Sequence, residues 1–373
     1  MSTRTSSAVY SDRLDRARSR MHEAGVDVLL ISIGRDLPYL TGYEAMPLER
    51  LTMLVVPRDG DATLVVPRLE APRVVEQPGV FTLLPWQETE DPIAVVAGLA
   101  GRPGTVAVGD TMWARFLVEL LGLWPSPSTH YVRSIEVMNA LRMRKDDAEI
   151  EALAAAGAAV DRIAAALQTG AIPLVGRTEA DISADLGARI LAEGHQRVNF
   201  AIVAAGENAA SPHHHASQRV VNRDEILLCD FGGTMNGYCS DITRCVFLGE
   251  PPAEIAEAYA VLQEAQRAAV LAGTVGTPCE EVDRVARRII SAAGFGEYFM
   301  HRTGHGIGME EHEDPYMVEG NGLPLEPGHA FSVEPGIYLP GRWGMRLEDI
   351  VVATDAGPRA VNDANHSLVT VAA

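Results

Sequence analysis

The chain has 373 residues, of which 47% are hydrophobic and 22% are charged, and its formal net charge at pH 7 is −19. This length suits two domains that each bury a core, and the composition is ordinary for a soluble globular protein. The negative charge excludes nucleic acid and an anionic membrane as expected partners, because both would repel it. With no signal-like N-terminus and no apolar run long enough to span a membrane, the sequence predicts a cytoplasmic protein.

The cysteines give the same indication about the compartment. Cys229, Cys239, Cys245 and Cys279 show no CxxC spacing, and three of them lie between apolar neighbours in one short segment. Buried, reduced thiols are expected of such positions, as in a cytosolic protein.

The first part of the chain alternates between helical and strand patterns. Residues 10–25 predict a helix that ends at Gly25, and the apolar run 26–33 predicts a strand covered on both faces. Asp59-Gly60, between the apolar runs 51–57 and 62–67, indicates a β-hairpin. Further helices are predicted at 69–77, 91–100 and 113–123, and further strands at 105–109 and 131–135. These elements predict a small mixed α/β domain over residues 1–140.

The remainder, residues 141–373, has a different order of elements. Helices are predicted from Asp146 and from Thr178, where Thr178 and Asp181 form a capping-box pattern. A strand at 199–206 and a strand pair within 225–247 follow. Two more helices are predicted at 252–272 and 279–293, the second with Thr277 as N-cap, Pro278 at N1 and Glu280 at N3. This order is not a βαβ repetition, so it predicts a curved, mostly antiparallel sheet with helices on its outside.

The strand pair carries two acidic residues in apolar surroundings. Asp230 lies in ILLCDF and Asp241 directly precedes ITRCVF. An ionised carboxylate in such a place loses its hydration, so it must be paired, hydrogen-bonded, protonated or bound to a metal. Two hairpin-end aspartates without a function are the simpler interpretation when the pair is considered alone.

Three further residues in strand-and-turn settings favour a metal site. They are His305 in HRTGHGIG, Glu334 in AFSVEPGIYL and Glu348 in GMRLEDIVV. Together with the two aspartates they carry about four negative charges, which two divalent cations would neutralise. Oxygen-rich ligation suits Mn²⁺-type ions, and two ions roughly 3.5–4 Å apart can hold a hydroxide between them.

Arginine and histidine residues accompany these candidates. Alternation along MRLEDIVV puts Arg346 on the same side as Glu348, where it could orient a metal-binding carboxylate. His301, His305 and His312 lie within one short segment, and glycines flank His305 so that the backbone can approach closely. Of His213, His214 and His215, only one need point into the site.

These residues and their motifs, NGYCSDITR, HRTGHGIG, EPGIY and RLEDIVV, resemble those of the pita-bread metallopeptidases, specifically the prolidase and aminopeptidase P branch. The first domain, with its DLPYLTGY segment, resembles the creatinase-type N-terminal domain of that branch. Methionine aminopeptidases share the ligand set but usually lack such a domain.

The resemblance implies a role for each residue. Asp230 would chelate one metal, Asp241 and Glu348 would bridge two, His305 would complete one ion and Glu334 would bind the other. His213, the histidine after Pro212, matches a family histidine, with His214 as a substitute left open by the tripled His. The full implied set is metal ligands Asp230, Asp241, His305, Glu334 and Glu348, catalytic residues His213, His312, Glu334 and Arg346, and substrate-binding residues His301 and His312.

The predicted function is therefore hydrolysis of the Xaa-Pro bond in dipeptides or at peptide N-termini, by a metal-bridging hydroxide with Glu334 as the proton shuttle. The expected cofactors are two divalent ions, Mn²⁺ first and Co²⁺ or Zn²⁺ as alternatives, and the expected assembly is a homodimer. A metal-dependent non-peptidase hydrolase or lyase of the same fold, acting on a small amide or zwitterionic metabolite, remains the alternative. A non-enzymatic scaffold is disfavoured, because converging carboxylates repel one another without a metal.

Overall fold

The structure, a computed structural model, describes residues 6–371, and the chain divides into two compact units between Arg142 and Met143. Each unit is built around its own sheet or sheets. Within the described residues, no helix is both long and apolar enough to cross a membrane. All four cysteines are buried and free, as predicted.

The first unit combines helices with one mixed sheet. Its helices are α1 (Ser7–Ala24), α2 (Asp36–Thr41), α3 (Pro92–Ala100), α4 (Ala114–Leu123) and α5 (Ile135–Arg142). Its strands are β1 (Val28–Ile31), β2 (Met53–Pro57), β3 (Ala62–Pro67), β4 (Phe81–Trp86), β5 (Thr105–Val108) and β6 (His130–Arg133). In the order β4-β3-β2-β1-β5-β6, the central β1 is antiparallel to β2 and parallel to β5.

Most of the predicted elements of this unit are confirmed. Gly25 ends α1 in a left-handed conformation with φ of 67°, and all four residues of β1 are buried. The helix predicted at 69–77 is wrong, since only a 3₁₀ turn at Ala71–Arg73 forms there. Leu69 and Val75 are 66% and 50% exposed, and the burial of Val74 alone does not provide the apolar face that would stabilise a longer helix. Helices α2 and α5 were missed because they are short.

The second unit holds four longer helices and many short strands. The helices are α6 (Asp147–Gln168), α7 (Glu179–Ala192), α8 (Ala253–Ala272) and α9 (Cys279–Ala292). The strands are β7 (Arg197–Ala205), β8 (Ile226–Met235), β9 (Tyr238–Cys239), β10 (Ile242–Phe247), β11 (Gly304–Gly306), β12 (Glu313–Met317), β13 (Ala330–Val333), β14 (Gly336–Leu339), β15 (Trp343–Arg346), β16 (Asp349–Thr354), β17 (Gly357–Ala360) and β18 (Val369–Thr370).

The sheets of this unit are almost entirely antiparallel. One sheet has the order β18-β10-β8-β7 with β9 paired to β8, a second has the order β12-β11-β13-β16-β17, and β14 and β15 form a hairpin. Among the strands described for this unit, only β18 runs parallel to its neighbour, β10. An isolated bridge links Thr243 of β10 in the first sheet with Glu348, the residue directly before β16 of the second sheet. The prediction of a mostly antiparallel arrangement with outer helices is confirmed.

Apolar helix faces cover these sheets. Leu262 and Ala265 of α8 and Val282 and Ala286 of α9 share one core with Phe331 and the strands around it. The other helices pack in the same manner, with Ile163 of α6 and Ile182 and Leu186 of α7 in a core with Leu227 and Cys229 of β8. Burial of these large apolar faces holds the strands in place around the polar interior.

Helix starts follow the local sequence in two cases and depart from it in one. Asp146 with Glu149 caps α6, and Thr178 with Asp181 caps α7 as predicted. The predicted cap of α9 is wrong: Pro278 is the N-cap residue and no side chain caps the helix. The Thr277 hydroxyl instead lies 2.9 Å from the Thr274 hydroxyl in the preceding turn, which removes it from the helix end.

Candidate metal centre and active site

The predicted metal-binding residues converge on one cavity of about 560 Å³ in the second unit. Asp230 lies in β8 directly opposite Thr243 of β10, and Asp241 immediately precedes β10. His305 is the middle residue of β11, whereas Glu334 directly follows β13 and Glu348 lies between β15 and β16. Elements from both five-stranded sheets therefore deliver the five side chains to a shared space.

A glycine in β11 allows this strand to lie close to β13. A Cβ atom on Gly304 would collide with the backbone carbonyl of Ser332, so only glycine lets β11 lie this close to β13. The Ser332 hydroxyl accepts from His305 N at 3.0 Å and donates to Glu334 Oε1 at 3.1 Å. The close contact of these strands thus fixes His305 relative to Glu334.

The candidate ligand atoms are near enough to share a cation. One atom each from Asp241, His305 and Glu348 lies within 4.8 Å of the other two. His305 Nε2 lies 3.2 Å from Glu334 Oε1 and 3.9 Å from Asp241 Oδ2. Asp230 joins the group through its place in the cavity wall.

Without a nearby positive charge, keeping these buried carboxylates ionised is unfavourable in free energy. Burial raises the pKa of both Asp241 and Glu348 far above the usual range, and the neighbouring carboxylates raise it further. Burial also raises the pKa of Asp230, although Arg346 opposes the shift. Burial acts in the same direction on Glu334, but its hydrogen bond to His305 and the charge of that ring prevail and lower its pKa. A cation among these groups would replace the lost hydration and stabilise the ionised forms.

Two buried carboxylate oxygens also indicate that a cation belongs in this cluster. Asp230 Oδ1 and Asp241 Oδ1 are buried and have no hydrogen-bond partner among the described residues. Buried carboxylate oxygens are normally satisfied, and a divalent cation is a suitable partner for them. The donor set therefore fits divalent metal ions.

Arg346 and Thr243 hold the carboxylates in position. Arg346 donates from Nη2 to Asp230 Oδ2 and from Nε to Thr243 Oγ1 at 3.1 Å. The Thr243 hydroxyl in turn donates to Glu348 Oε2 at 2.6 Å. Arg346 and Glu348 share the cavity as predicted from strand alternation, while Asp349 faces away and binds Arg244.

Thr243 and Tyr338 are site residues that were not predicted from the sequence. Thr243 could have been found by alternation, since it follows Asp241 by two residues and therefore lies on the same strand face. Tyr338 OH accepts from Arg346 Nη1 at 2.8 Å and lies 2.9 Å from His301 Nε2. Tyr338 ends the EPGIY motif, but the motif does not indicate its role, because that role depends on partners from two other segments.

The structure also distinguishes among the histidines. His213, His301 and His312 line the cavity, and the ring of His312 lies edge-on to that of His305 with centroids 4.0 Å apart. His214 turns away from the cavity, with Nε2 2.8 Å from Glu179 Oε2, and His215 is exposed. Of the three consecutive histidines, His213 is thus the one that lines the cavity.

The rest of the cavity wall is apolar with a charged rim. Phe200, Ile202, Pro212 and Val318 contribute apolar surface, and Arg302 and Glu311 contribute opposite charges. The sequence analysis assigned none of these residues to the site, although Arg302 belongs to the HRTGHGIG motif. Such a wall suits a small molecule with apolar side groups and charged ends.

Fold and cavity together define a carboxylate-rich centre that suits divalent metal ions, on a mostly antiparallel scaffold. Residues 149–355 match the model of metallopeptidase family M24, and residues 13–144 match the model of the creatinase/prolidase N-terminal domain. The chain belongs to metallopeptidase family M24. Membership in a metallopeptidase family implies divalent metal ions, in agreement with the donor set.

Similar proteins cover essentially the whole chain. A probable dipeptidase PepE of Mycobacterium tuberculosis (strain ATCC 25618 / H37Rv) is 44% identical over 99% of both chains. The Xaa-Pro dipeptidase of Lactobacillus helveticus is 37% identical over 92% of this chain and 95% of its own.

Solved structures give the same result. The crystal structure of dipeptidase PepE from Mycobacterium ulcerans matches with a TM-score of 0.93 and 44% identity over 100% of both chains. The prolidase of Thermococcus sibiricus matches with a TM-score of 0.91 and 34% identity, over 97% of this chain and 99% of that one. The predicted pita-bread fold and the resemblance to prolidases are confirmed.

Proposed function

We propose that this chain is a metal-dependent Xaa-Pro peptidase, which hydrolyses the bond before proline in dipeptides or at peptide N-termini. The observation that carries the proposal is the convergence of the five candidate metal ligands, Asp230, Asp241, His305, Glu334 and Glu348, on a single cavity. Relatives over the full length include proteins named as Xaa-Pro dipeptidases and prolidases. The alternative, a non-peptidase hydrolase or lyase, has no support among these relatives.

The proposal includes two divalent ions, with Mn²⁺ preferred over Co²⁺ and Zn²⁺ because oxygen ligands predominate. Asp230, Asp241, His305, Glu334 and Glu348 would hold these ions. When bound, such ions supply Lewis acidity and lower the pKa of water towards neutrality. The charges balance, since four carboxylates compensate two divalent cations.

Glu334 is proposed to move the proton that the reaction requires. Water adds to the carbonyl carbon before proline, the carbon–nitrogen bond breaks, and the proline nitrogen must gain a proton to leave as an amine. Glu334 lies at the cavity surface, where it can accept the proton of the attacking water and donate it to that nitrogen. The hydrogen bond from Ser332 to Glu334 Oε1 orients the carboxylate for this transfer.

The cavity histidines and Arg346 complete the proposed machinery. His213 and His312 face the cavity and would donate hydrogen bonds to the carbonyl oxygen or the proline end of the substrate as charge develops. His301, which is held by Tyr338, would bind the substrate together with His312. Arg346 would keep Asp230 in place during the reaction.

The proposal also covers organisation and location. A creatinase-like N-terminal domain would span residues 1–140, and the catalytic domain residues 141–373, with a homodimer in the cytoplasm as the working form. The ranges of the two family models support this division. Light scattering of the purified protein would test the dimer.

A hydrolysis panel tests the function. Metal-depleted protein, prepared with a chelator, is assayed with Mn²⁺, Co²⁺ or Zn²⁺ against Xaa-Pro dipeptides, Xaa-Pro-Yaa tripeptides and matched Xaa-Ala controls. We expect no activity without metal, recovery with Mn²⁺ or Co²⁺, and a strong preference for proline. Equal hydrolysis of the Xaa-Ala controls, or no hydrolysis of any peptide in the presence of metal, would contradict the proposal.

A further inference from the structure

Glu179, the first residue of α7, is a buried carboxylate outside the cavity that the proposed mechanism does not use. Its side chain is 0% exposed, yet no guanidinium or ammonium group pairs with it among the described residues. Instead it accepts hydrogen bonds from the segment 205–217, which includes the three consecutive histidines. Hydrogen bonds from this many donors hold the buried carboxylate, and the segment that donates to it, in one position.

The donors come from four places along that segment. Glu179 Oε1 accepts from Ala205 N at 2.9 Å and from Asn208 Nδ2 at 3.0 Å. Glu179 Oε2 accepts from Ser217 N at 3.0 Å and Ser217 Oγ at 2.6 Å. The His214 ring lies against the same oxygen at 2.8 Å, and its Nε2 must be the donor there because an ionised carboxylate only accepts.

The electrostatics agree with an ionised acceptor. Burial alone would raise the pKa of Glu179, but the hydrogen bonds from Ser217, Ala205, Asn208 and His214 outweigh burial and lower this pKa to about 2. The start of helix α7 adds a favourable interaction with negative charge. Glu179 is therefore a stable anion at neutral pH.

His213 lies between two anchored neighbours. On the cavity side, Arg346 Nη1 donates to the carbonyl oxygen of Pro212 at 3.4 Å. On the opposite side, Glu179 holds the ring of His214. His213 itself is exposed to the cavity and takes its direction from the backbone on either side.

We propose that Glu179 is a positioning residue for the reaction: by holding His214, Ser217 and Asn208, it sets the backbone that directs His213 into the cavity. This inference rests on the proposed function and extends it to a residue outside the cavity. Small displacements of a catalytic group reduce rates strongly, and partners that orient such a group typically contribute about 10- to 100-fold.

The test compares Glu179→Gln with the matched control Glu207→Gln. Glu207 belongs to the same segment but is exposed and pairs with Arg219. We expect Glu179→Gln to lower kcat for an Xaa-Pro dipeptide about 10- to 100-fold with bound metal and KM little changed, and Glu207→Gln to behave as wild type. A wild-type kcat for Glu179→Gln would overturn the proposal.

A double-mutant cycle separates positioning from general destabilisation. If Glu179 acts through His213, Glu179→Gln should cause little further loss of kcat in a His213→Ala background. Equal losses in both backgrounds would show that Glu179 acts independently of His213 and would overturn the proposal. If Glu179→Gln does not fold, His214→Ala removes the same contact from the less buried partner, and a wild-type kcat for that variant is equally decisive against it.

Hydrogen exchange provides a measurement that does not depend on activity. Faster amide exchange confined to residues 205–217 in Glu179→Gln or His214→Ala supports the proposed anchor, and unchanged exchange there contradicts it. Failure of the wild-type protein to cleave any Xaa-Pro peptide would instead contradict the proposed function, so the two failures are distinguishable.

Discussion

Arg346 donates a hydrogen bond to Oδ2 of Asp230, while Oδ1 of the same carboxylate is buried with no hydrogen-bond partner among the described residues. One oxygen is thus held by the protein, and the other is free to bind a cation. Arg346 also contacts Thr243 and Tyr338, which links the orientation of Asp230 to the position of Glu348 and His301.

Arg346→Ala should weaken metal binding or activity by about 10- to 100-fold, because Asp230 loses the partner that orients it. Metal titration by calorimetry and steady-state kinetics measure the two effects. Arg342→Ala is the control, since Arg342 lies in the same hairpin but is exposed and pairs with Glu254. Unchanged affinity and activity in Arg346→Ala would contradict this role.

Asp241→Ala should reduce the number of tightly bound ions and abolish most activity, because one atom each of Asp241, His305 and Glu348 lies within 4.8 Å of the other two and could share a cation. Elemental analysis after dialysis against Mn²⁺ gives the metal content. The control Asp355→Ala changes an exposed turn residue and should bind as wild type. Retention of two ions with full activity would remove Asp241 from the bridging role.

His213→Ala and His312→Ala should each lower kcat by about 10²–10³, with bound metal unchanged, because each removes a donor to the developing charge. His215→Ala is the control, as this exposed neighbour does not line the cavity. Kinetics and metal analysis of the same preparations test this. A fully active His213→Ala beside an inactive His214→Ala would shift the catalytic assignment by one residue.

The anion at Glu179 predicts a specific dependence of stability on pH. Its pKa in the folded protein is about 2, below the ordinary value of 4.5, so its contribution is present above about pH 4.5 and is lost as the pH falls towards 2. The difference in thermal midpoint between wild type and Glu179→Gln should therefore be largest near neutrality and shrink on acidification.

Calorimetric scans between pH 7 and the acid limit of solubility measure this difference. Hydrogen bonds to a charged acceptor typically contribute about 1.5–3 kcal/mol, which sets the scale of the stability that Glu179→Gln should lose at neutral pH. Glu207→Gln, an exposed change in the same segment, should alter the midpoint little at any pH. A difference in thermal midpoint that stays constant as the pH falls would contradict the conclusion that Glu179 is an anion held by hydrogen bonds.

Much of the fold was predictable because the information is local. Alternation and apolar runs identified the strand pair around Asp230 and Asp241, and Gly25 and the Thr178–Asp181 pair identified helix ends. The errors also have local causes. The Thr277 cap failed because a nearby threonine competes for its hydroxyl, and the helix at 69–77 failed because Leu69 and Val75 are exposed.

The candidate metal ligands were recognisable from sequence because a buried strand rarely carries a carboxylate without a partner. The same motifs predicted the family, which the family models and relatives confirm. The roles of the individual site residues stay predictions, which the variants described above test. The domain boundary near Ala140 also stays a prediction.

By itself, the sequence determined the longer helices and the main strands, the candidate metal-binding residues and the class of chemistry, since each depends on residue type and short-range spacing. Tertiary structure alone decided that His213 and not His214 lines the cavity, and that Thr243 and Tyr338 link separate parts of it. It also decided the role of Glu179, which the sequence presents only as an acidic residue at a helix start. The physical reason is that a hydrogen bond needs a donor and an acceptor about 3 Å apart, and the packing of separate elements sets that distance.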